Sequence, residues 1–112
     1  MTIKSKQTKK SLKAIEKIAG GKLTLGKLIG AIREGENLSQ VELAESLGIS
    51  KQHLCDIEHD RKSISPKLAA TYAKKLGYSE EQFIRLSLQS ILDREGINWF
   101  ISLNMKPNFA TS

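Results

Sequence analysis

The run from Leu38 to Glu58, LSQVELAESLGISKQHLCDIE, constrains the fold more than any other stretch, because it spells two short helices joined at one glycine. Ser39 followed by Glu42 has capping-box spacing: the hydroxyl takes a free first-turn amide and the carboxylate reaches back, so a helix starts here. Leu43, Ala44 and Leu47 form its inward face. Gly48 stands just past the last apolar position, where a left-handed residue costs glycine nothing, and Ile49 resumes the apolar pattern. Ser50 caps the second helix. There Leu54 and Ile57 point inward at i, i+3 spacing, which leaves Lys51, Gln52, Cys55 and Asp56 on the solvent side. Ala44 is small where the two helices must cross, so the pair can pack as one rigid unit.

With Arg33, Leu38-Ser39-Gln40, Leu43-Ala44, Gly48-Ile49-Ser50 and Ile57-Glu58 in place, the sequence resembles the lambda-repressor-like helix-turn-helix proteins of the Cro and Xre type. The resemblance covers about residues 25–77, and so many spaced positions are more specific than a short motif. It implies an all-α, five-helix domain with its third helix in the major groove, acting as a two-fold dimer on a palindrome. It also implies roles. Gln40 touches the DNA backbone and braces the next helix, while Lys51 and Gln52 reach base edges, lysine suiting guanine acceptors and glutamine suiting adenine. Cys55, one turn on, can meet a thymine methyl. Asp56 is repelled by phosphate unless it accepts from a cytosine amine or turns aside. Arg33 pairs in the family with the glutamate that ends the recognition helix, here Glu58. That bidentate brace is favoured over a phosphate contact, although the two can coexist.

The flanks supply support. The first helix of the domain is expected from about Thr24, its cap, to Gly35, with Leu25, Leu28, Ile29 and Ile32 as its inward stripe. Two positions after Glu58 the family usually has glycine and this chain has Asp60, which enters the left-handed region more readily than most residues but brings a charge toward DNA. Arg61, Lys62 and Ser63 follow as phosphate contacts, together with Ser50 at the start of the recognition helix, where free amides favour an anion. Ser65-Pro66 opens a fourth helix buried through Leu68, Ala69, Tyr72, Ala73 and Leu76, and Gly77 ends it. Ser79 with Gln82 reads as a second capping box for a fifth helix reaching about Glu95, with Gly96 as its stop. Phe83, Ile84, Leu86, Leu88, Ile91 and Leu92 give that helix more apolar surface than one packed side needs, which suggests a subunit partner.

Beyond it, Ile97, Trp99, Ile101, Leu103 and Met105 alternate with Asn98, Ser102 and Asn104, a period-two pattern that reads as a half-buried strand ended by Pro107. A single strand in a helical domain has no internal partner. It pairs with its two-fold copy through Trp99, Ile101 and Leu103, joins another protein, or folds back as an irregular tail; a short helix also fits the i, i+4 spacing of Ile97, Ile101 and Met105.

Charge divides the 112 residues unevenly. Residues 1–22 hold seven lysines against one glutamate and so carry the whole formal excess of +6, leaving the body neutral. Such an arm adds salt-sensitive attraction to phosphate, or is simply a solvated tail; Leu12, Ile15, Ile18 and Ala19 also share a face at helical spacing and can dock on the body. The organisation expected is therefore an arm over 1–22, the helix-turn-helix domain over 23–96 and an extension over 97–112. No apolar run approaches a membrane span and the basic start lacks a signal-peptide core, so a cytoplasmic protein without membrane partners is expected. One cysteine fits a reducing compartment. Cys55 and His59 are an i, i+4 pair, but His53 lies on another face and nothing completes a tetrahedron, so neither metal nor cofactor is expected. With no paired carboxylates in an apolar setting, no nucleophile with a base and no phosphate loop, neither is an enzyme.

The function expected is a sequence-specific repressor acting as a homodimer. Small domains of this type with terminal extensions are similar to antitoxins that repress their own operon and bind a toxin, to phage repressors and to restriction-modification controllers. A protein-interaction module that keeps the fold but binds DNA weakly is the alternative, motivated by the neutral body, Asp56 and Asp60.

Overall fold

A computed structural model of the chain describes residues 22–107. The basic arm, its candidate helix and the last five residues lie outside that range, apart from Lys22. Among the described residues there are five helices and no strand: α1 Leu25–Gly35, α2 Gln40–Leu47, α3 Lys51–Glu58, α4 Pro66–Leu76 and α5 Glu80–Arg94. None is long and apolar enough to cross a membrane.

Each helix begins on a hydroxyl. The oxygens of Thr24, Ser39, Ser50, Ser65 and Ser79 accept from the amides of Lys27, Glu42, His53, Leu68 and Gln82, contacts worth about 1 kcal/mol each. Ser39 and Glu42 close a reciprocal capping box, the glutamate accepting the Ser39 amide at 2.8 Å. The second box expected from sequence is half made: Ser79 takes the amide of Gln82, whose own side chain turns to Arg85.

The core joins Leu25, Leu28, Ile29 and Ile32 of α1 to Leu43, Ala44 and Leu47 of α2, Leu54 and Ile57 of α3, Ala69, Tyr72 and Ala73 of α4, and Phe83 and Leu86 of α5. Helix α4 packs chiefly on α5, α2 on α3, and α1 touches both α3 and α5, so α1 ties the two pairs together. Ser87, buried in α5, donates to the carbonyl of Ile64 at 2.7 Å and pins the loop after α3. Leu68 departs from the expected buried face of α4: it is 38% exposed, on a flank that no described element covers.

The C-terminal segment takes one of the three forms expected from sequence, the irregular tail. Residues 97–107 form neither strand nor sixth helix. They fold back on α5 as an irregular tail, and the reason is a single side chain. Gln89 donates from Nε2 to the carbonyl of Trp99 and accepts at Oε1 from the amide of Ile101, both at 2.8 Å, so one amide satisfies two of the backbone groups that a neighbouring strand would have taken. The Arg85 guanidinium lies over the Phe100 ring, 4.6 Å from its centre. Trp99 and Phe100 remain 77% and 76% exposed, whereas Ile101 and Leu103 are half-buried.

Candidate nucleic-acid interface

Helix α3 has eight residues, well short of the roughly 12–15 at which an isolated helix becomes marginal in water. Tertiary contacts must therefore hold it. Leu54 and Ile57 are essentially fully buried, a gross gain of about 3–6 kcal/mol for the two side chains. The turn before them is Gly48 at φ 75°, whose amide and that of Ile49 close the end of α2.

Polar contacts fix the far end of α3. Glu58 accepts from Arg33 Nε at 2.7 Å and from Arg33 Nη2 at 3.1 Å, a bidentate pair, and Gln40 Nε2 donates to the same carboxylate at 3.0 Å. Arg33 Nη1 reaches the carbonyl of Leu38 at 2.9 Å. The hydrogen bond to Glu58 more than offsets the cost of burial, and the Arg33 pKa is raised. One carboxylate at the end of α3 thus gathers α1, the entry to α2 and the first residue of α2.

Two further contacts carried no sequence signal. Gly26 is buried in α1 where a Cβ would run into the carbonyl oxygen of Ile57 and come within 2.6 Å of Asp60 Oδ1, so the backbones of α1 and α3 meet directly. Asp60 takes the left-handed conformation at φ 59° and accepts from the Thr24 hydroxyl at 3.0 Å. Its carboxylate is thereby directed to the start of α1.

With α3 held this way, Lys51 and Gln52 stand exposed at its first turn, beside Ser50, and Cys55 and Asp56 follow half-buried one turn on. Asp56 is engaged within the chain: Gln52 Nε2 donates to its Oδ1 at 3.0 Å and Arg61 Nε to the same oxygen at 2.9 Å. The hydrogen bond from the Arg61 guanidinium outweighs the opposing effect of burial and, with lesser help from Gln52 and the Arg61 and Lys62 charges, holds the Asp56 carboxyl below the usual range. Arg61 is therefore not a free cation; its Nη2 also lies 3.6 Å from Cys55 Sγ. Lys62 and Ser63 are exposed beside it. Gln40 is half-buried, its amide nitrogen on Glu58. His59 Nδ1 lies 2.9 Å from the Cys55 carbonyl oxygen and 3.7 Å from Sγ, and among the described residues no three His, Cys, Asp or Glu side chains gather as a metal site.

Two short helices locked about a glycine turn, the second with its leading side chains in solvent, define a helix-turn-helix, the class of domain that presents a helix to the major groove. Residues 29–83 match the helix-turn-helix family model. A 55-residue stretch is 42% identical to the immunity repressor protein of Bacillus phage phi105, covering 49% of this chain and 38% of that repressor. The chain thus spans well under half the length of that relative. No solved structure matches.

Proposed function

We propose that the chain is a sequence-specific DNA-binding repressor that acts as a homodimer on a palindromic operator. The observation that carries this reading is the rigid seating of α3, with Lys51 and Gln52 exposed at its start, in a segment similar to a phage repressor. Lys51 and Gln52 read base edges; Cys55 meets a thymine methyl; Ser50, Lys62 and Ser63 contact phosphate, with Gln40 beside them. The domain runs over 23–96, beginning at buried Leu23, and the arm adds salt-sensitive attraction. The protein works by occupancy in the cytoplasm. The interaction-module alternative would rest on free acidic charge facing DNA; Asp56 is paired with Arg61 and Asp60 bonds Thr24, which supports DNA binding instead.

Dimerisation falls to the C-terminal extension. Its exposed Ile97, Trp99, Phe100 and Met105 offer apolar area that a second copy covers, while Ile101 and Leu103 are half-buried. Trp99→Ser is expected to shift the mass in solution from dimer toward monomer, read by light scattering across a dilution series; an unchanged dimer would remove this segment from the interface. The same surface supports a second reading, an autorepressing antitoxin that holds a toxin protein there, which predicts a small protein co-purifying from its native host.

Selection from a random duplex pool at physiological salt tests the proposal. A palindrome with half-sites about 10 bp apart is expected. Gln52→Ala should lose about 1–3 kcal/mol on that site and relax one base preference, whereas Lys62→Ala should weaken all sequences alike. Equal losses for Gln52→Ala on selected and random DNA would end its base-reading role.

A further inference from the structure

The bond from Gln52 to Asp56 has a chemical polarity that bears on which base is read. A carboxylate only accepts, so it can face only the amino end of the glutamine amide. Held there by one N–H, Gln52 keeps its second N–H and its carbonyl oxygen for another partner. One donor beside one acceptor is the pattern that complements the N7 and N6 edge of adenine in the major groove. Asp56 is itself held, because Arg61 Nε donates to the same Oδ1. Four residues of spacing put Gln52 and Asp56 on one face of α3, and Arg61 returns to that face from the loop.

We propose that Asp56 is a positioning residue that orients the Gln52 amide toward an adenine in each operator half-site, and that Arg61 acts through Asp56 by fixing its carboxylate. This replaces the sequence expectation that Asp56 reads a base and Arg61 grips phosphate, and it rests on the reading of α3 as the base-contacting helix. Orienting the amide before binding spares the ordering cost that a free glutamine side chain meets on the DNA. The ion pair also keeps the carboxylate from repelling phosphate.

The test uses the full chain as wild type, Asp56→Ala, Gln52→Ala and the double variant. Each is taken through selection from a random pool, then titrated on the selected duplex and on one carrying another base at the adenine. Wild type should prefer adenine roughly tenfold or more. Asp56→Ala should bring that preference to within about twofold while leaving the other positions unchanged, a change confined to one base that general loss of structure would not produce. The double variant should discriminate no less than Gln52→Ala alone. Asp56→Ala that keeps the adenine preference overturns the proposal, as does one that instead loses a cytosine at a neighbouring position, since Asp56 would then be reading that base. If wild type itself enriches no motif, base reading by α3 fails, and the positioning role fails with it.

Discussion

Replacing Glu58 with alanine is expected to lower stability by about 2–4 kcal/mol, the cost of breaking a largely buried ion pair from one side. The side chains of Arg33 and Glu58 are only 15% and 8% exposed, so water does little to compensate the guanidinium left behind. Gln40 loses its acceptor in the same step. For a domain of this size such a loss lowers the melting temperature by roughly 10–25 °C. Glu58→Gln, which keeps an oxygen for Arg33 but no charge, should lose less. Removing both partners, with Arg33→Met and Glu58→Leu together, should recover much of the deficit, because no orphan charge remains. A Glu58→Ala loss below about 1 kcal/mol in urea unfolding would mean that the brace contributes no more than a surface pair.

Gly26→Ala sets two effects against each other. Alanine is the better helix former by about 1 kcal/mol, which favours the variant. Against this, the added methyl meets the carbonyl oxygen of Ile57, a backbone atom at the closing turn of α3 that cannot rotate away. Overpacking of this kind costs about 1–3 kcal/mol or more, and here it forces α1 and α3 apart, so the clash should win. Gly35→Ala is the internal control: nothing lies within 4 Å of its Cβ, and it should be neutral or slightly stabilising. Chemical denaturation of the two variants side by side decides the matter. A Gly26→Ala variant as stable as wild type would show that the helices part at little cost.

Local signals in the sequence were easy to read. Hydroxyl caps, glycines after apolar stripes and the i, i+3 pattern lie within a few residues of one another, and the structure begins all five helices at those caps. The Arg33–Glu58 pairing spans 25 residues and came from the resemblance rather than from pattern. What escaped is likewise long-range. Nothing near Gly26 says that α3 will press on it, and nothing near Asp60 points to Thr24, 36 residues earlier. Period-two alternation at Ile97–Met105 reports which residues would share a face if the segment were a strand, but a strand also needs a neighbour. Gln89 fills that place with one side chain, something no periodicity within the segment encodes.

Helix α3 divides its duties by face. Leu54, Ile57 and Glu58 belong to the folded body, while Lys51, Gln52, Cys55 and Asp56 lie outside the core. The second group can therefore be exchanged with little penalty to folding, and on the proposed reading of α3 as the base-contacting helix a new operator preference would arise without rebuilding the scaffold. Arg61 sets a condition on that freedom. It neutralises Asp56, so a change at position 56 releases a cation on this face, and on the proposed reading specificity would evolve here through pairs of substitutions more readily than through single ones.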